Sequence, residues 1–260
     1  MKAYLKPLFA AALAVTLSSC EKNAEHIENV SEKNTTSISQ VVYPLMGNEM
    51  STSILPKKDN LPDAILGRDY ENFPDIKVKL IDLVCDDYLN QTTKLDISKV
   101  QEGTYLEQIK NNDLTVYFRS SVDLRDEGVK KLSSSPKGWW THWNYSPYTE
   151  SEYPSVLFAV NRNDQVVDEI NLICTREVTT FGFEVAPNVI GETMEVSVGY
   201  HLEDHYRSPY IFDVKQTISS PSGARLIAVK SDRPFQRVSI KLKYQSGGLA
   251  ISNIRYKLAR

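Results

Sequence analysis

Seven large aromatic or imidazole side chains crowd one short stretch: Trp139, Trp140, His142, Trp143, Tyr145, Tyr148 and Tyr153. All three tryptophans of the chain fall here, in a Pro- and Ser-bearing segment that reads as a loop. Exposed aromatic faces at this density stack on sugar rings or partner side chains, burying apolar area while keeping a polar edge. Trp140, Tyr145, Tyr148 and Trp143 are therefore the candidate ligand-binding residues. The competing expectation is that Trp139 and Trp143 plug one end of a core, which large aromatics commonly do. His201-Leu202-Glu203-Asp204-His205 is the one local set of metal-capable side chains. His201, Asp204 and His205 are weak metal candidates: the spacing is not His-Glu-x-x-His, and a solvated hairpin tip accounts for it better. Glu150 and Glu152 are an acid–base pair only in sequence, since glycoside hydrolysis needs carboxylates set roughly 5–9 Å apart in space. No nucleophile elbow, phosphate loop, dinucleotide fingerprint or Cys-x-x-Cys occurs, so no catalytic residue and no cofactor is assigned.

The N-terminus explains where such a surface would work. Lys2 and Lys6 precede an apolar run from Leu8 to Leu17, too short to span a bilayer and of the length of a secretory signal. It ends in Leu17-Ser18-Ser19-Cys20, which resembles the lipobox of bacterial lipoproteins. That resemblance implies a signal peptide over 1–19, cleavage before Cys20 and acylation of its thiol (palmitate among the chains). It also implies an outer-membrane protein anchored by lipid, on the periplasmic or the cell-surface side. Each buried CH2 of the acyl chains adds about 0.8 kcal/mol, so several chains anchor the protein lastingly. Residues 20–40 are polar and read as a flexible tether. Glu21 and Lys22, just after the Cys, are similar to the charges found there in Bacteroidetes lipoproteins.

Composition narrows the rest. Hydrophobic residues at 41% and charged residues at 24% suit a globular domain. Removing 1–19 leaves 28 basic and 33 acidic residues, net -5, which speaks against nucleic acid as a partner. The charge is unevenly spread: residues 221–260 carry nine Lys or Arg and one acid, Asp232. Arg237, Lys241 and Lys243 share one parity. They form either a strip for anionic polysaccharide or headgroups, or partners for Glu192, Glu195 and Asp213 with lysines guarding a sheet edge. The second expectation is preferred. Besides Cys20 the chain holds Cys85 and Cys174, which in an oxidising envelope either pair or stay as two buried thiols. Their apolar surroundings favour the thiols.

The elements that must position these residues are strands. Residues 41–94, broken by Pro44, Pro56, Pro62 and Pro74, are expected to be an irregular lead-in giving at most one edge strand. From 95 to 260 the period is two. Leu114/Val116/Phe118, Phe181/Phe183/Val185, Met194/Val196/Val198/Tyr200, Tyr210/Phe212/Val214 and Val238/Ile240/Leu242/Tyr244 each alternate with polar residues. On this parity Glu184 points outward, toward a neighbouring strand. Val156–Val160 and Leu226–Val229 are apolar on both parities and suit central strands. Turns are expected at Pro187-Asn188, Ser208-Pro209, Ser220–Gly223, Asp232-Arg233-Pro234 and Ser246–Gly248. Short strands so punctuated predict an all-β domain, an antiparallel, jelly-roll-like β-sandwich over 95–260.

The same segments carry a family resemblance. Gly138-Trp139 with Trp143, Ser146-Pro147, Pro154-Ser155-Val156-Leu157 and Phe181-Gly182-Phe183-Glu184 come first. Gly223-Ala224-Arg225-Leu226, Pro234-Phe235 and Gly248 to Tyr256 follow. In this order they resemble the sandwich domain of exported bacterial surface proteins, including PEP-CTERM-type ones, though Tyr256–Arg260 lacks that sorting signal. The resemblance implies a non-catalytic binding or adhesion module, with polysaccharide or an envelope protein as partner. A structural envelope component and a glycan-active hydrolase stand as the alternatives.

Overall fold

The computed structural model describes residues 65–67, 76–119, 127–134, 143, 148–187, 193–203, 210–219, 223–243 and 248–260. The alternating segments form strands in the antiparallel, all-β architecture that their period predicts. In chain order these are β1 (Ile65–Gly67), β2 (Val78–Ile81), α1 (Asp86–Gln91), β3 (Thr93–Lys94), β4 (Tyr105–Leu106) and β5 (Gln108–Lys110). They continue with β6 (Thr115–Arg119), β7 (Glu127–Ser133), β8 (Ser155–Asn161) and β9 (Glu169–Pro187). β10 (Thr193–His201), β11 (Tyr210–Ser219), β12 (Arg225–Leu242) and β13 (Leu249–Leu258) complete the series.

β9 and β12, at 19 and 18 residues, organise everything else. Their early and late halves pair with different neighbours. Asn171–Cys174 of β9 and Arg237–Leu242 of β12 belong with β6 and β10, and β11 and β1 extend that layer. Val178–Pro187 and Arg225–Ser231 belong with β13 and β2, and β8, β7 and β4 extend the other. Strands that pass from one layer to the other through an irregularity are the corners of a sandwich. Here the register slips between Lys230 and Phe235 and again before Arg237.

This corrects one expectation. Asp232-Arg233-Pro234 does not end a strand; β12 runs through it, bending where Pro234 has no N–H to give the ladder. Phe235 pins the bend. Its ring meets Tyr200 and Phe212 edge-on at 5.3 and 6.0 Å, and those two stack at 4.6 Å. Around them lies the main core, with Val116, Phe118, Leu172, Val198 and Ile240 from one layer and Val129, Leu157, Val185 and Ile251 from the other.

The lead-in contributes more than one edge strand. β1, β2 and β3 pair with β11, β12 and β13, and α1 lays Tyr88 onto the sheet. Ile76 and Leu95 reach the main core, so the packed domain includes residues before 95. Tyr88 fits because residue 182 is glycine. A Cβ there would stand 2.3 Å from Ala228 Cβ and 2.4 Å from the Tyr88 hydroxyl. β9 is held on both sides at this point, so neither neighbour yields easily. Gly182→Ala is expected to cost about 2 kcal/mol, roughly 6 °C in Tm. A thermal melt unchanged within a degree would show that α1 simply lifts away.

Candidate functional site

β13 reads Leu-Ala-Ile-Ser-Asn-Ile-Arg-Tyr-Lys-Leu, and its pairing with β9 breaks where the polar pair Ser252-Asn253 interrupts it. Asn253 takes φ 46°, the left-handed region that asparagine tolerates better than most residues. Such a bulge re-aims a side chain. Ser252 Oγ donates to the Ser155 carbonyl at 2.7 Å, while Asn253 Nδ2 donates to Glu184 Oε2 at 2.8 Å and Ser151 Oγ at 3.3 Å.

Beside this bulge lies a cavity of about 220 Å³. Lys94, Ser151, Ser155, Ser252 and Asn253 give it polar groups, and Leu95, Ile109 and Leu157 an apolar wall. Tyr153 stands at its rim and is 51% exposed. Two carboxylates lie behind it with opposite fates. Burial pushes the Glu150 carboxyl up, but the Arg255 guanidinium and the Lys94 ammonium outweigh that and hold it below the usual range. Arg255 Nε meets Glu150 Oε2 at 2.8 Å, Arg255 Nη2 meets Oε1 at 3.2 Å, and Lys94 Nζ meets Oε1 at 3.1 Å. Arg255 also donates to the carbonyls of Leu89 and Thr92 at 3.2 Å, tying the end of α1 to β13.

Glu184 is only 1% exposed, and burial raises its carboxyl to about 7. The Glu150 backbone N–H and the Asn253 amide pull it down and the Glu150 charge pushes it up, each by less. This corrects the outward placement of Glu184. Its side of β9 is covered by the segment around Glu150, so residues 181–186 are buried on both parities.

Such a split between two carboxylates is how acid and base roles are assigned in hydrolases. Here neither carboxyl lines the cavity, Glu150 is committed to two cations and Glu184 is sealed off. The pair builds a wall rather than attacking a bond. Glu152, its sequence partner in the expected acid–base pair, is exposed.

The aromatic candidates divide. Trp143 is buried, 4% exposed, among Leu132, Val156, Phe158 and Ala250, so it is core rather than a stacking platform. Tyr148 is half-buried with the Arg225 guanidinium 3.9 Å from its ring centroid, so that face already has a cation on it. Both are corrections to the expected ligand-binding set. Trp140 and Tyr145, with Trp139 and His142, lie outside the described residues. Of that cluster Tyr153 has an aromatic face open beside a cavity.

His201 is buried and accepts at Nδ1 from Arg237 at 2.7 Å, while its Nε2 meets Ser239 Oγ at 3.1 Å. A guanidinium against the ring is no place for a metal ion. Asp204 and His205 lie outside the described residues, among which no three His, Cys, Asp or Glu gather for a metal. The basic parity of β12 is not a strip either. Arg237 is buried against His201, Lys241 meets Glu169 at 3.6 Å and Lys243 meets Glu195 at 3.2 Å. These are the cross-strand pairs expected in kind, but β12 lies between β9 and β10, so its lysines guard no edge. Cys174 is a buried free thiol pushed up to about 12 by desolvation. Because Cys174 is free, the pair Cys85–Cys174 does not form.

Comparison with known protein families, curated proteins and solved structures finds no match for the chain.

Proposed function

We propose that the chain is a lipid-anchored envelope protein whose sandwich domain binds glycans without transforming them. The lipobox-like Leu17–Cys20 and the polar stretch after it support the anchor. Among the described residues no helix is long and apolar enough to cross a membrane. The observation that carries the glycan reading is the cavity. Serine residues, Asn253, Lys94 and Asp96 line it beside an apolar wall, with an exposed aromatic face at the lip. A polar pocket with one stacking ring is the chemistry of sugar recognition. At about 220 Å³ it falls below the ~300 Å³ of drug-sized sites and suits a single ring or chain end.

The mature chain on a glycan array tests this. Binding is expected, and Tyr153→Ala should weaken it about tenfold, the upper range for loss of one ring contact. An array blank for the parent removes the glycan reading and favours a protein partner in the envelope. The anchor has its own test. Acylation of Cys20 should send the mature protein into the detergent phase, and Cys20→Ser should return it to the aqueous phase. A parent that partitions into the aqueous phase would refute the anchor.

A further inference from the structure

Asn253 spends both hydrogens of its side-chain amide on protein acceptors, the buried Glu184 Oε2 and the Oγ of Ser151, itself a residue of the cavity lining. Its Oδ1 is then the atom left for the cavity that Asn253 lines. The orientation is imposed from behind. An ionised carboxylate only accepts, so the nitrogen of Asn253 must face Glu184. The other Glu184 oxygen accepts from the Glu150 backbone N–H, a bond indifferent to the charge state. A proton arriving at Glu184 therefore goes to Oε2, which becomes a donor aimed at a donor. Half a turn of the Asn253 amide resolves the conflict: Oδ1 accepts from Glu184, and Ser151, a hydroxyl able to donate or accept, follows. Every inner group is satisfied in both states. What changes is the face shown to the cavity.

We propose that Glu184 is a positioning residue that sets the hydrogen-bond polarity of the cavity through Asn253: an acceptor when Glu184 is ionised, a donor when it is protonated. For its ligand the switch rests on the glycan reading, whereas the switch itself does not. The ionised form suits ligand hydroxyls that donate. The protonated form suits ligand acceptors, such as the carbonyl of an acetamido sugar or the carboxylate of a uronic acid; Lys94 and Asp96 line the same cavity with opposite charges, and neither depends on the state of Asn253. Among the described residues few groups face Glu184. Glu150 comes from the segment ahead of β8, its charge held by Lys94 of β3 and Arg255 of β13, and Tyr88 comes from α1. Burial keeps the Tyr88 hydroxyl protonated, so Glu184 is the member that titrates near neutrality, at about 7.

The test is hydrogen exchange and chemical shift of the Asn253 side-chain amide in the 15N-labelled mature chain, assigned by difference against Asn253→Ser. Its protection relative to a free amide should fall about tenfold or more between roughly pH 8 and pH 6, as the NH2 turns from the inner network to the cavity. Glu184→Gln supplies the control. Its carbonyl must accept from Glu150 N–H, so its NH2 faces Asn253 Oδ1 and locks the low-pH arrangement at every pH. Constant protection in both proteins through the pH range overturns the proposal. So does a transition that survives in Glu184→Gln. Methyl glucoside and glucuronate are added as probes at each pH. Glucuronate is expected to gain on methyl glucoside as the pH falls. If neither sugar moves a cavity resonance while Asn253 still switches, the polarity switch stands and the glycan reading fails.

Discussion

Arg255→Met is expected to lower the unfolding free energy by about 3 kcal/mol, near the low end of the cost of breaking a buried ion pair from one side. The arginine is 12% and Glu150 19% exposed, so the pair keeps a little solvent, and Lys94 stays behind as a weaker partner. The loss exceeds that of a surface bridge because one guanidinium serves three elements. It neutralises Glu150, accounts for the carbonyls of Leu89 and Thr92, and anchors α1 to β13. Methionine fills much of the volume but leaves those acceptors without a donor. Adding Glu150→Gln should recover part of the loss, since the stranded charge is then gone. The pH dependence has a definite sign. The folded Glu150 carboxyl is held below its ordinary value, so its contribution is present above that value and disappears as pH falls through the folded one. Urea titrations of both variants at about pH 7 and pH 3 would check this. If Arg255→Met unfolds within roughly 0.5 kcal/mol of the parent, the clamp is ornamental.

Glu184→Gln is expected to act in the opposite direction. A carboxyl near 7 in the folded protein and near 4.3 in the unfolded chain holds its proton more tightly when folded. Between those two values the folded state binds more protons, so stability falls as pH rises across the window and levels off above it. The difference amounts to about 3 kcal/mol at pH 8. Glutamine keeps the acceptor for Glu150 N–H and the shape, and never ionises. The variant should match the parent near pH 4 and exceed it by up to about 3 kcal/mol at pH 8, flattening the slope between. Equal stabilities at pH 8 would mean that Glu184 is ionised at little cost, through water or a partner reaching it. A stabilising substitution at a buried polar residue is itself a sign that the native group is kept for something other than stability.

The strands were readable because a half-buried strand alternates, and the positions of β6, β10 and β11 follow from that alone. The failures share a cause. Alternation reports how one face differs from the other, and it says nothing when a distant segment covers the wet face. Glu184 sits on the polar parity of β9, yet the stretch around Glu150 closes over it, a contact spanning 34 residues. In the sequence Trp143 suits a core or a platform equally, and only its neighbours on β7, β8 and β13 decide between them. Pro234 marks a break in local hydrogen bonding, which a turn and a bent long strand satisfy equally. Asn253 left one trace, an unexplained Ser-Asn inside an apolar strand. A left-handed bulge is what that trace encodes, though which cavity it serves depends on β3 and the 148–154 segment. The lead-in hid its strands because two- to four-residue strands are shorter than any period can register.

The position of β13 has a further consequence, for assembly in time. Residues 249–258 slot between β8 and β9, and β9 must also await residues 225–241. The ladders of the domain thus close over long stretches of chain, the kind of topology that folds slowly. Neither layer can finish by itself, since each borrows half of the same two strands. A chain interrupted before residue 249 would present β8 and β9 as adjacent open edges, ready to pair with another copy. For a polypeptide emerging from its N-terminus, the central seam of the sheet is the last to be sewn.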